Sequence, residues 1–137
     1  MKNELIRTII VDDDPIATRV LEEYIRKIET LELVKSCSNG EDALFVLAQN
    51  EIDLIFLDME MPGISGMDML KTLEVTPFII ITTSKPDYAV EAFEFQVDDY
   101  LVKPISPQRF VKAVERIRHE FELRQQMQPI QDQPILI

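Results

Sequence analysis

The chain has 137 residues, 46% of them apolar and 28% charged, with 3 glycines and 8 prolines; such a mix fits one globular domain and excludes disordered and fibrous classes. Its 14 basic and 25 acidic side chains leave a formal charge of −11, which argues against binding of nucleic acid or of an anionic membrane surface by this chain alone, since both are met with clustered Lys and Arg. No apolar run approaches the roughly 20 residues of a membrane span, the start Met1-Lys2-Asn3-Glu4 lacks a signal-peptide core, and the single Cys37 permits no internal disulfide and fits a reducing cytoplasm.

Apolar runs alternate with amphipathic stretches. Ile6–Val11 is β-branched and stops at Asp12-Asp13-Asp14. Pro15 then stands where a first helical turn tolerates proline, with Asp14 as its cap, and Ala17, Val20, Leu21, Tyr24 and Ile28 keep helical spacing over Pro15–Glu29. Leu31–Lys35 reads as a short strand, and Asn39-Gly40 opens a second helix with Ala43, Leu44, Leu47 and Ala48 on its apolar face. Ile52–Leu57, interrupted by Asp53, is a buried strand ending at Asp58; Pro62-Gly63 marks a turn, and Gly66 a second permissive point before a short helix over Met67–Leu73. Phe78–Ile81 is a further buried strand, ending in Thr82-Thr83-Ser84. Pro86 opens a helix with Ala89, Ala92 and Phe93 inward, Tyr100–Val102 is a short strand ending at Lys103-Pro104, and Ser106-Pro107 starts a last helix with Phe110, Val114, Ile117 and Phe121 on one face. Gln125–Ile137 is rich in Gln and Pro, with Pro129 and Pro134 set against a continuing helix, and reads as a linker or tail after a domain over 1–124.

Strands without polar alternation are buried on both faces, so the alternating order predicts a parallel sheet covered by helices on both sides. In such a sheet ligands lie beyond the carboxyl ends of the strands. That edge carries Asp12, Asp13 and Asp14 after the first strand, Asp58 after the third, Thr83 after the fourth and Lys103 after the fifth. Carboxylates gathered in one crevice repel each other unless a cation sits among them. Oxygen donors of this kind suit Mg²⁺, and no Cys/His cluster is present for zinc. A divalent ion beside Asp58 would draw in the oxygens of a phosphoryl donor, the carboxylate could act as nucleophile to form an aspartyl phosphate, and Lys103 and Thr83 would supply a cation and a hydroxyl to the transferred group. No glycine-rich nucleotide loop is present, so the phosphoryl group would come from a phosphorylated partner or a small donor rather than from bound ATP.

At these residues a resemblance becomes specific. Val11-Asp12-Asp13-Asp14-Pro15, Leu57-Asp58-Met59-Glu60-Met61-Pro62-Gly63-Ile64-Ser65-Gly66, Thr82-Thr83 and Asp99-Tyr100-Leu101-Val102-Lys103-Pro104-Ile105 together resemble a CheY-like receiver domain of bacterial two-component response regulators, over residues 5–124. Tyr88-Ala89-Val90-Glu91-Ala92-Phe93, followed by Asp99-Tyr100-Leu101, further resembles receivers of the LytR/AlgR subgroup, in which a DNA-binding LytTR effector domain usually follows.

The resemblance implies a flavodoxin-like, doubly wound five-stranded parallel sheet of order 2-1-3-4-5 with five flanking helices. It makes Asp58 the phosphoacceptor, with a sensor histidine kinase as donor. Mg²⁺ would be held directly by Asp13, partly through water by Asp12, and by Asp58 and the backbone carbonyl of Glu60. Thr83 and Lys103 would hold the phosphoryl oxygens, a cis Lys103–Pro104 peptide would aim the lysine inward, and Tyr100 would be the switch aromatic that follows Thr83. Ser84 stands where the family commonly has alanine or glycine, and it and Glu60 are positions that tune dephosphorylation. The helix from Pro86, the strand Tyr100–Val102 and the last helix would form a phosphorylation-dependent homodimer face. Such a chain catalyses only its own phosphorylation and dephosphorylation, and transcription control would belong to a DNA-binding domain beyond it.

Other residues have plainer readings. Asp14 reads as a helix cap, His119 as a solvated helix residue, Cys37 as packing, and Met59, Met61, Met67 and Met69 as packing around the turn. Asp98-Asp99 and Glu22-Glu23 read as solvated charge. The alternatives are a stand-alone receiver, an interaction module that is never phosphorylated, and a small aspartate phosphatase using Asp12 and Asp14; the last leaves Asp58 and Lys103 unexplained. A carboxylate cluster without metal should destabilise the fold, so that Asp13→Ala or Asp58→Ala raises the melting temperature in chelator.

Overall fold

The computed structural model describes residues 4–61, 66–72, 77–87, 94 and 96–132. Ile6–Val11 forms β1 and Pro15–Arg26 forms α1, followed by β2 (Leu31–Cys37), α2 (Gly40–Gln49), β3 (Leu54–Asp58), α3 (Gly66–Thr72), β4 (Phe78–Thr83), β5 (Asp99–Val102) and α4 (Pro107–Asp132). The β-branched runs pair as one five-stranded sheet of order β2-β1-β3-β4-β5, parallel throughout. This is the expected flavodoxin-like arrangement. The strand order reverses beside β1, so the crevice at the carboxyl ends of β1 and β3 is the switch point at which such sheets bind ligands.

Alternation along the strands feeds two cores. Ile10, Phe56, Ile80 and Leu101 point to one face and pack with Leu21 and Ile25 of α1 and Phe110, Ala113, Val114, Ile117 and Phe121 of α4. Ile9, Ile55, Leu57, Ile79 and Ile81 point to the other and pack with Ala43 and Val46 of α2, Met69 of α3, and Met59 and Met61. The phenyl rings of Phe56 and Phe110 stack at 5.5 Å, fixing α4 over the centre of the sheet.

Several boundaries differ from the sequence reading. α1 stops at Arg26, with Lys27 as its C-cap, and β2 runs on to Cys37 because its last residues pair with Ile10 and Val11. In α2 Ala43 and Val46 are buried, while Ala48 is exposed and Phe45 lies 68% open. The inward stripe therefore runs through Ala43 and Val46, with Leu44 and Leu47 on its flank. α4 continues through Pro129 to Asp132: Glu122 to Gln128 are good helix formers, and they carry the helix past the proline set against it. The expected helix at Ala89–Phe93 lies outside the described residues, within which four helices are present.

Asp98 and Asp99 are not solvated charge. Asp99 is buried, and Arg109 grips it from α4 at 2.7 Å while donating to the Tyr100 carbonyl at 2.9 Å. Asp98 accepts the Ile79 N–H at 2.8 Å. A carboxylate at the start of a buried strand meets backbone donors and a helix cation, and these take the place of water.

Candidate functional site

Each candidate side chain owes its place to a strand end. Asp12 follows β1, and its N–H donates to the Cys37 carbonyl at 3.0 Å. Asp14 is spent on the helix that begins there: its Oδ1 accepts the Ile16 N–H at 3.0 Å. Asp58 ends β3 opposite Thr82 of β4. Lys103 follows β5, held by its N–H to the Thr83 carbonyl at 2.8 Å, and its bond to Pro104 is cis.

These placements bring distant carboxylates together. One oxygen each from Asp12, Asp13 and Asp58 lie within 4.8 Å of one another, with Asp12 and Asp58 buried and Asp13 exposed. Lys103 Nζ bridges the buried pair, 3.1 Å from Asp12 Oδ2 and 3.5 Å from Asp58 Oδ2. Backbone donors hold the other oxygens: Asp14 N–H on Asp12 Oδ1 at 2.9 Å and Glu60 N–H on Asp58 Oδ1 at 3.0 Å. Asp12 Oδ2 is buried and meets the Lys103 ammonium as an ion pair, without a hydrogen bond.

Burial pushes the Asp58 carboxyl up from 3.8 to about 6; the Asp12 charge adds to this, and the Glu60 N–H and Lys103 oppose it. Burial alone would lower Lys103, but its ion pair with Asp12 and the charge of Asp58 outweigh that and hold its pKa above the ordinary value. One ammonium among three carboxylates leaves the cluster short of positive charge. A buried carboxylate oxygen without a hydrogen bond and an all-oxygen donor set fit a hard divalent cation.

Gly66 lets α3 approach this edge. A Cβ there would stand 2.5 Å from the Asp58 carbonyl oxygen and 2.8 Å from the Met59 Cα. The glycine is thus required for clearance beside Asp58, not for a turn.

The Glu60 side chain turns to the end of β4. Its Oε2 accepts the Thr83 hydroxyl, and its Oε1 accepts the Ser84 hydroxyl at 2.8 Å. Burial would raise the Glu60 carboxyl, but these hydrogen bonds and the Lys103 charge hold it below its ordinary value. Thr83 Oγ1 also accepts the Lys85 N–H at 2.9 Å. Tyr100 is half-buried against the Ile79–Ile81 core, with the Arg109 guanidinium 5.6 Å from its ring centre. The sequence reading missed the Arg109–Asp99 pair; an arginine two residues into a helix that follows an acidic strand start was its only signal.

The family model for the response regulator receiver domain matches residues 8–115, well over half of the chain, and the chain belongs to that family. It is 37% identical over 118 residues to the transcriptional regulatory protein BtsR of Escherichia coli K12, covering 85% of this chain and 49% of that protein. It is 36% identical over 115 residues to the sensory transduction protein LytR of Staphylococcus saprophyticus, covering 82% of this chain and 45% of that one. The chain thus spans about half the length of these curated relatives. The response regulatory domain of mrkE from Klebsiella pneumoniae superposes with a TM-score of 0.79 at 32% identity, over 85% of this chain and 98% of that one. The REC domain of AraT from Geobacillus stearothermophilus does so with a TM-score of 0.79 at 30% identity, over 88% and 98%. Among the described residues, no helix is long and apolar enough to cross a membrane.

Proposed function

We propose that this receiver is a phosphorylation-controlled switch in which Asp58 accepts a phosphoryl group from a phosphorylated histidine of a sensor kinase. The observation that carries this reading is the convergence of Asp12, Asp13 and Asp58 within 4.8 Å, with the Lys103 ammonium on the buried pair. An Asp58 carboxylate oxygen attacks phosphorus, the P–N bond of the donor breaks, and the freed imidazole takes up a proton. An acyl phosphate results, and water attack on its phosphorus returns the carboxylate and inorganic phosphate. Lys103 neutralises the phosphoryl oxygens, and Thr83 donates its hydroxyl to them. Asp12, Asp13, Asp58 and the Glu60 carbonyl would hold Mg²⁺, which when bound supplies the positive charge that brings an anionic donor to an acidic cleft.

The phosphoryl charge draws Thr83 inward, and Tyr100 follows it on the same face of the sheet, which biases the surface of β5 and α4 toward a homodimer. The relatives that carry transcriptional and sensory names extend to about twice this chain. We read residues 1–124 as the receiver and 125–137 as the start of a connection to a DNA-binding domain of the LytTR type, in a cytoplasmic protein.

Acetyl phosphate with Mg²⁺ should add one phosphoryl group to the chain by intact mass, and beryllofluoride should bind in its place. Asp58→Asn should abolish both. Labelling of Asp58→Asn equal to wild type would overturn the assignment, and failure of wild type to accept phosphate from any donor would favour the unphosphorylated interaction module.

A further inference from the structure

A threonine hydroxyl has one proton to donate. In this structure the Thr83 hydroxyl faces two acceptors, Glu60 Oε2 and the Lys85 carbonyl at 3.2 Å; the carboxylate is the nearer and the charged one and takes the proton, while Oγ1 accepts the Lys85 N–H at 2.9 Å. Ser84, at the start of the same loop, donates to the other oxygen of that carboxylate at 2.8 Å. Glu60 is thus gripped at both oxygens by consecutive residues at the end of β4, while its own N–H is fixed on Asp58 Oδ1 at 3.0 Å. A hydroxyl held in this way cannot donate to a phosphoryl oxygen on Asp58. Acceptance of the group requires that the Thr83–Glu60 hydrogen bond break.

We propose that Glu60 and Ser84 form a clasp that holds Thr83 in its unphosphorylated orientation and sets how readily the site accepts a phosphoryl group. Glu60 and Ser84 are positioning residues acting through Thr83. The proposal rests on the reading of Asp58 as phosphoacceptor. A hydrogen bond to an ionised acceptor is about twice as strong as a neutral one, so releasing it weighs against phosphorylation. Ser84 contributes by immobilising the carboxylate. It is exposed, so it can be replaced without disturbing the core.

The test is a set of single and double variants of the whole chain, read by calorimetric titration with beryllofluoride in Mg²⁺ and by the rate of labelling from acetyl phosphate. Ser84→Ala should tighten beryllofluoride binding about threefold, because it only loosens the carboxylate, and Glu60→Ala about tenfold, because it removes the charge-assisted hydrogen bond on Thr83 itself. The clasp makes these effects dependent on one another. Ser84→Ala should add nothing in a Glu60→Ala background, and the Glu60→Ala gain should shrink to about twofold in Thr83→Val, where no hydroxyl remains to hold and only the relief of charge repulsion survives. An equal Glu60→Ala gain in both backgrounds would reduce the effect to bulk electrostatics and overturn the clasp, as would weaker binding in Ser84→Ala. Failure of the phosphoacceptor reading shows separately, as wild-type labelling that survives Asp58→Asn.

Discussion

The two ends of the sheet both carry partly or fully buried carboxylates, and they use them in opposite ways. At the amino edge, Asp53 precedes β3 and Asp98 precedes β5. Each makes the same pair of hydrogen bonds to the neighbouring strand. The Asp53 N–H donates to the Arg7 carbonyl at 2.7 Å while its Oδ2 accepts the Arg7 N–H at 2.9 Å. The Asp98 N–H donates to the Ile79 carbonyl at 2.8 Å while its Oδ2 accepts the Ile79 N–H at 2.8 Å. The side chain replaces the carbonyl that the ladder would need next. At the carboxyl edge, Asp12, Asp13 and Asp58 face each other around one lysine. Burial raises the carboxyl pKa of Asp53, Asp98 and Asp58 alike. The lesson lies in the partners: the amino edge serves the fold, and the carboxyl edge holds unbalanced charge that serves the site.

The largest effect expected from this contrast is at Asp58. In the folded chain its proton is released near pH 6, against 3.8 for an ordinary aspartate, a difference worth up to about 3 kcal/mol. Between those values the folded state binds more protons than the unfolded state, so stability falls as pH rises through the window, and the loss is complete above it. In chelator, Asp58→Asn should therefore stabilise the chain at pH 7 by up to about 3 kcal/mol and by much less near pH 4, read by urea unfolding at each pH. Asp13→Ala should act in the same direction but less, since Asp13 is exposed. Added Mg²⁺ should raise the melting temperature of wild type by mass action and that of both variants by less. A flat wild-type stability between these pH values would mean that Lys103 already balances the cluster.

A smaller effect of opposite sign belongs to the amino edge. Asp53→Ala and Asp98→Ala each strand a backbone N–H and should cost about 1–2 kcal/mol. Asp53→Asn and Asp98→Asn keep a carbonyl acceptor and should stay within about 1 kcal/mol of wild type. Calorimetric melting of the four variants decides the matter. If Ala and Asn behave alike, the amino-edge carboxylates do not stand in for ladder carbonyls, and the contrast between the edges collapses.

Much of the carboxyl edge was legible in the sequence because an acidic residue, a threonine and a lysine each ended an apolar run, and strand ends in a parallel sheet converge. The amino edge was not. Asp53 read as an interruption and Asp98 as solvated charge, since one sequence cannot show whether a carboxylate at a strand start faces water or a neighbouring N–H. The Glu60 clasp was hidden for a similar reason. Glu60 and Ser84 follow adjacent paired strands, but which way a loop carboxylate turns depends on the hydroxyls that meet it. The length of α4 is not legible at Pro129 itself, which argues for a stop; it depends on the helix-forming run before the proline.

The finest test of the contrast uses two hydroxyls, one near each edge. Thr30 precedes β2 and Thr82 lies on β4 opposite Asp58, and Oγ1 of each is buried with no hydrogen-bond partner. An unmet buried hydroxyl costs about 1 kcal/mol or more, and valine replaces it at the same shape with a methyl that suits an apolar strand. Thr30→Val and Thr82→Val should each raise the melting temperature by a few degrees, corresponding to about 1 kcal/mol. The two should match, because neither hydroxyl has a partner to lose. A loss of stability in Thr82→Val alone would mean that its hydroxyl supports Asp58 or Lys103 in solution, and the carboxyl edge would then be better compensated than its charges indicate.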